Sequence, residues 1–140
     1  MNLKSYFAHH QGTGILATAD DEGRVDAAVF SSPYCLDDGR LALLLRERLT
    51  YHNLRRNPRA VYLFLEQGPG YRGLRLFLRK TGEGEDSDLI RGMTRPWLSP
   101  AEDAAAGPKH LLWFEVERAL ELVGDGELVL EGIGLRPEGA

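Results

Sequence analysis

Between Arg40 and Glu66 two apolar runs flank a short polar segment, RLALLLRERLTYHNLRRNPRAVYLFLE. Leu41 to Leu45 is unbroken, and Ala60 to Leu65 is rich in aromatic and branched residues. Runs of this length bounded by turn signals suit strands covered on both faces. The spacer predicts a helix: Thr50 reads as its N-cap, Tyr51 to Arg56 as one or two turns, and Asn57-Pro58 as its end. A helix start presents unpaired N–H groups and a positive dipole end. Arg46, Arg48 and the Thr50 hydroxyl are close by in sequence, so the junction is a possible seat for an anion. An ordinary capped helix with a solvated basic face fits the same residues.

The flanking chain supplies further strands. Residues 2 to 11 read as a short amphipathic helix with Leu3, Tyr6 and Phe7 on one face, ended by Gly12-Thr13-Gly14. Ile15–Ala19 and Val25–Ser31 form a hairpin around Asp20-Asp21-Glu22-Gly23, whose acidic and glycine residues suit a tight turn. Asp38-Gly39 then turns the chain into the Leu41 run, which predicts a three-stranded meander. Leu74 to Lys80 alternates with period two, Leu74, Leu76 and Leu78 inward and Arg75, Phe77 and Arg79 outward. Thr81 to Asp86 reads as a turn, Asp86 to Met93 as one helical piece, and Ser99-Pro100-Ala101-Glu102 as a capping box on a helix closed by Gly107-Pro108. Residues 94 to 108 form a crossover outside the sheet. Leu111 to Arg118 returns as a strand, and Leu120–Val123 and Leu128–Ile133 extend it or add another.

The expected fold is mainly β with short helices: a six-stranded antiparallel barrel of meander or Greek-key type, closed to hide its strand edges. The 140 residues make one domain, with a loose tail from about 135. Leu41 to Leu45 is apolar on both faces, and a small barrel interior covers only one, which predicts a homodimer.

Composition excludes several classes. A net charge of -4 argues against nucleic-acid binding. Basic residues nevertheless concentrate between Arg40 and Lys80, and nearly all are Arg, the better residue for recognising phosphate. The N-terminus lacks the apolar core of a signal peptide and no segment is long enough for a helical membrane span, so a cytoplasmic protein is expected. Cys35 is the only cysteine, which rules out an intramolecular disulfide.

Catalytic groups are not identifiable. His9 and His10 are adjacent, His52 and His110 isolated, and no zinc-spaced cluster exists. The acidic residues fall in turns, and the glycines match neither a Walker loop nor a dinucleotide fingerprint. What remains is the basic and hydroxyl junction, together with aromatics able to line a flat pocket: Phe30, Tyr51, Tyr71, Phe77, Trp97 and Trp113. Aromatics of this kind equally suit a barrel core.

The order of these motifs resembles the FMN-binding split-barrel family, the pyridoxamine 5′-phosphate oxidase-like proteins. The resemblance covers Met1 to Val123. It rests above all on LTYHNLRRNPRAV (Leu49–Val61), with support from the opening helix, the ILATADDEGRVDAAVFSS hairpin and the late strand holding Trp113. It implies two split barrels in a dimer, with FMN in grooves between the subunits. Arg48 and Thr50 would contact the flavin phosphate, helped by the Tyr51 N–H, with Arg46 near the polar edge of the cofactor. Ala28, Val29, Phe30 and Ser31 would run beside the isoalloxazine and ribityl chain, and Trp113 would come from the partner chain. Arg75 or Arg79 are further contacts of this kind. The chain departs from the pattern at Leu49 and Thr50, where many members carry Lys or Arg; Arg46 and Arg48, two apart on one strand face, would supply charge there.

The function so implied is an FMN-dependent oxidoreductase acting on a small molecule. Alternatives are an FMN-binding electron carrier without a substrate of its own, or a split barrel that binds haem or another anionic ligand.

Overall fold

The computed structural model describes residues 1–93 and 99–131. Trp97, Ile133, the tail from 135 and part of the crossover lie outside those residues. The chain runs α1 (Leu3–His9), β1 (Gly12–Ala19), β2 (Val25–Phe30), β3 (Tyr34–Cys35), β4 (Leu41–Arg46), α2 (Leu49–Arg56), β5 (Arg59–Glu66), β6 (Gly73–Gly84), α3 (Ser87–Met93), α4 (Pro100–Ala105) and β7 (Lys109–Glu121). The strands form one antiparallel sheet in the order β2-β1-β5-β6-β7-β4-β3, curled into a half-barrel.

The strand count is seven rather than six because Tyr34–Cys35 pairs with Ala42 and Leu41. The expected three-stranded meander is not formed. β2 pairs only with β1, whereas β4 crosses to the far side of the sheet and pairs with β7. The hairpin strands and the β3–β4 unit are therefore the two ends of the sheet, and α2 packs between them against β1, β2 and β4. The Arg40–Glu66 stretch carries the chain from one end of the sheet to its middle.

Gly12-Thr13-Gly14 does not stop the first helix. That helix ends at the extended residue His10, and both glycines belong to β1. A Cβ on Gly14 would lie 1.9 Å from the Tyr62 hydroxyl oxygen, and one on Gly12 would lie 2.1 Å from the Leu65 carbonyl oxygen. Both glycines let the aromatic strand β5 approach closely. Thr81 to Gly84 continues β6 instead of turning, with register shifts after Phe77 and Lys80. Gly84 leaves room for the Trp113 indole.

The core is filled by inward residues of β1, β4, β5, β6 and β7, among them Leu16, Leu43, Tyr62, Phe64, Leu76 and Phe114. Helix α1 adds Leu3 and Tyr6, and the Phe7 ring meets Phe64 edge-on at 5.2 Å. On β4 the single chain already buries Ala42 on the outward face and leaves Leu44 half-buried. The capping box at Ser99 and Glu102 is formed as its spacing predicts.

Candidate anion-binding groove

Helix α2 is held from three sides. Buried Asn53 donates from Nδ2 to Thr18 Oγ1 on β1 at 3.1 Å. Asn57, the C-cap, donates to the Asp20 carbonyl at 3.4 Å and receives the Arg59 N–H at 3.0 Å. Leu54 is sunk in the core. Tyr51, also buried, donates its hydroxyl to Glu83 on β6 at 3.0 Å. Burial and the Glu83 carboxylate raise the Tyr51 phenol, which keeps it a donor.

The start of α2 is open. Arg48, not Thr50, is the N-cap; its backbone is extended and its side chain makes no capping bond. Thr50 lies inside the first turn because the chain already curls at Leu49. The first intrahelical bond runs from His52 N to Arg48 O, so the N–H groups of Leu49, Thr50 and Tyr51 have no partner among the described residues. Thr50 is only 6% exposed, yet its hydroxyl makes no hydrogen bond among them either. Arg48 is exposed and free of ion pairs among the same residues. No acidic residue occupies the first turn. Three convergent N–H groups, a hydroxyl and a cation meet the requirements of a phosphate or carboxylate.

An open groove of about 750 Å³ runs along α2 against the β1–β2 hairpin, lined by Asp20, Arg24, Val25, Asp26, Leu49, His52, Asn53, Arg55 and Arg56. Two of its arginines are engaged: Arg24 by Asp20 and Glu22, and Arg56 by Asp21. The groove abuts the open turn at Leu49 and follows β2 at Val25 and Asp26.

The sequence-derived contacts fall unevenly around this groove, and none lines it directly. Thr50, the Tyr51 N–H and Arg48 cluster at its end. Ala28 to Ser31 continues β2 beyond Asp26. There Ala28 and Phe30 turn inward, opposite Leu16 and Gly14 of β1, while Val29 is 73% exposed. Their side chains cannot share one face, but β2 is an end strand whose outer backbone edge is unpaired within the sheet. Arg46 is committed elsewhere: it donates to the Gly107 carbonyl at 2.7 Å and pairs with Asp103. Trp113 is half-buried on β7 opposite Ala42, with the Arg40 guanidinium 5.3 Å above its ring. Arg75 and Arg79 are bonded to Glu121 and Gly124 carbonyls and to Glu115, respectively. Asn53, Thr18, Glu83 and His110 escaped sequence reasoning as site supports; only Asn53 stood in a recognised motif.

Cys35 is buried, and burial pushes its thiol up to about 11. It is a poor nucleophile there. Among the described residues no helix is long and apolar enough to cross a membrane.

No family model matches the chain, and no curated protein matches it by sequence. Solved structures do. An FMN-binding protein from Syntrophomonas wolfei superposes with a TM-score of 0.69 at 17% identity, covering 88% of this chain and 85% of that one. The fold is a split barrel. A candidate pyridoxamine 5′-phosphate oxidase from Lactobacillus delbrueckii matches at TM-score 0.61 and 16% identity, over 86% and 92% of the two chains. HutZ, the haem storage protein of Vibrio cholerae, matches this split barrel at TM-score 0.62 and 19% identity, over 90% and 98%.

Proposed function

We propose that this split barrel binds FMN with its phosphate on the open first turn of α2, and that it serves as an oxidoreductase for a small molecule. One observation carries the reading: the unpaired Leu49, Thr50 and Tyr51 N–H groups share the first turn of α2 with a Thr50 hydroxyl that makes no hydrogen bond among the described residues. The similarity to an FMN-binding protein supports it. Thr50 and Arg48 would hold the phosphate, and the free edge of β2 at Ala28 to Ser31 would run beside the flavin. Bound FMN supplies the electron chemistry; the chain binds, orients and shields it.

The working unit in this proposal is a homodimer with FMN at the seam, where Trp113 of one protomer would reach the other's groove. The outer face of β2-β1-β5 supports it. Val25 and Val29 are 84% and 73% exposed. Half-buried Ile15 pairs with both Val29 and Leu63, and Ala17 pairs with Val61. Such a face gains by burial against a copy of itself.

The purified protein should be yellow or become so on adding FMN, with absorbance at about 450 nm, the mark of an oxidised flavin cofactor. No such band, with or without added FMN, sinks the proposal. Turnover with nicotinamide cofactors and a panel of acceptors separates an oxidoreductase from an electron carrier. A haem reading is favoured by His52, an exposed imidazole on the groove with no hydrogen bond among the described residues. Haemin addition would then give a strong band at about 400 nm that His52→Ala removes.

A further inference from the structure

Beneath the open turn of α2 lies a group of titratable side chains that the proposed ligand does not touch. The His110 ring, on β7, stacks on Tyr51 with ring centroids 3.9 Å apart. Its Nε2 is shut off from solvent and has no hydrogen-bond partner among the described residues. The Glu47 carboxylate lies 3.6 Å from Nε2, and the Glu83 carboxylate lies 3.8 Å from Nδ1. Glu83 also accepts the Tyr51 hydroxyl and faces Lys80 at 3.8 Å. The Arg55 guanidinium lies 5.9 Å from the Tyr51 ring centroid. The imidazole thus meets Glu47 from the segment before α2, Tyr51 from α2 and Glu83 from β6, with Arg55 placed against Tyr51, Lys80 against Glu83, and Lys109 next to it in sequence on β7.

A neutral imidazole has one donor and one acceptor nitrogen, so it must turn an acceptor toward one of the two carboxylates. Imidazolium donates from both. Each ring nitrogen here faces a carboxylate, Nε2 that of Glu47 and Nδ1 that of Glu83. Histidine is also the side chain that ordinarily changes charge near neutral pH. We infer that His110 is a positioning residue for the anion seat: its charged form draws Glu47 and Glu83 onto one ring, fixes Tyr51 and the first turn of α2, and thereby strengthens binding of an anion there. Charging His110 compensates Glu47, which directly precedes Arg48, and removes a repulsive charge from the approach to the seat.

The inference rests on the FMN reading, and the test separates them. FMN affinity is measured by flavin fluorescence quenching at pH 8 and pH 6 for the wild-type chain and for His110→Gln, which keeps a donor but no titrating charge. The phosphate of FMN titrates alike in both, so the ratio of the two pH responses isolates His110. Wild-type affinity should gain about fivefold over the variant on going to pH 6, the order contributed by one nearby unit charge in well-solvated surroundings. Equal pH responses with intact binding overturn this inference alone; no FMN binding by the wild type overturns both. If the variant does not fold, NMR titration of the wild-type His110 ring decides the matter. By reciprocity FMN must raise its titration midpoint, and an unmoved midpoint overturns the role.

Discussion

Arg46 on β4 pairs with Asp103 on α4, 57 residues further along the chain, and donates as well to the Gly107 carbonyl. Lys109 closes the arrangement at 2.7 Å from the other Asp103 oxygen. The crossover is thereby fastened to β4, the strand that leads into the start of α2. Arg46 and Arg48 sit two residues apart, yet one is a fastening and the other faces solvent unpaired among the described residues.

This contrast gives a first test. Arg46→Met should lower the melting temperature by a few degrees while leaving FMN affinity within about twofold, because its guanidinium is spent on Asp103 and Gly107. A calorimetric scan paired with a flavin titration reads both. A large affinity loss at unchanged stability would return Arg46 to the ligand.

Arg48→Ala with Thr50→Ala should act mainly on binding. Loss of a charge-assisted contact and a hydroxyl bond removes about 1.5–3 kcal/mol of binding, or roughly ten- to a hundredfold in affinity. Exposed Arg48 contributes little to folding, whereas truncating Thr50 removes a largely buried methyl group, so the melting temperature should fall by a few degrees at most. Unchanged FMN binding would remove the phosphate from the start of α2.

Helix α2 depends on a buried polar pair. Asn53 and Thr18 are 5% and 4% exposed and bond to each other. Asn53→Ala strands the Thr18 hydroxyl and opens a gap, at a cost of about 1–3 kcal/mol by urea unfolding. Thr18→Val with Asn53→Leu replaces both partners and should recover much of that loss. A double variant as unstable as the sum of the two single changes would show the pair is not coupled.

The apolar runs and turn residues made most strands readable. Leu41–Leu45 and Ala60–Leu65 became β4 and β5, and Asn57-Pro58 ended α2 as its residue types demand. Pairing was not readable. Whether β4 joins β2 or β7 depends on packing of a sheet whose strands are all apolar inside, and the local pattern is the same in either case. Glycines misled for a related reason. Gly12 and Gly14 look like a helix stop, but their role is set by Tyr62 and Leu65, about fifty residues away. At the candidate site, the motif falls on the start of α2, while the Arg46 bonds to Asp103 and Gly107 could not be foreseen because those residues lie beyond any local window. His110, Glu47 and Glu83 are scattered in sequence and meet only through the β4–β7 and β6–β7 pairings.

Gly14 therefore provides a stability test of the strand packing. Gly14→Ala places a methyl 1.9 Å from the Tyr62 hydroxyl oxygen and 2.6 Å from the Phe30 carbonyl oxygen. Relief requires moving a fully buried ring or the β1–β2 pairing, costing about 3 kcal/mol. Tyr62→Phe alone loses only the bond to the Ser31 carbonyl, at about 1 kcal/mol. Denaturant unfolding of both variants checks the order. A tolerated Gly14→Ala would mean β5 does not approach β1 as closely as described.

Acid should unfold the protein through carboxylates held by turn N–H groups and by arginine and lysine partners. Asp20 accepts the Arg24 side chain and the Arg24 and Glu22 N–H groups, and these bonds hold its carboxyl at about 2, below the usual 3.8. Asp103 is lowered by Lys109 and Arg46, and Asp38 by the Arg40 N–H and side chain. In each case the folded value lies below the unfolded one, so the unfolded chain binds protons first as pH falls. The stability these groups contribute is complete above the unfolded value near 3.8 and, for Asp20, is lost as pH drops toward about 2. Urea midpoints measured from pH 5 down to pH 2 should fall across that window. Asp20→Asn keeps an acceptor oxygen for the turn N–H groups but cannot titrate, so its midpoints should start lower and decline less steeply. An identical slope in the variant would show that Asp20 does not contribute to the acid transition.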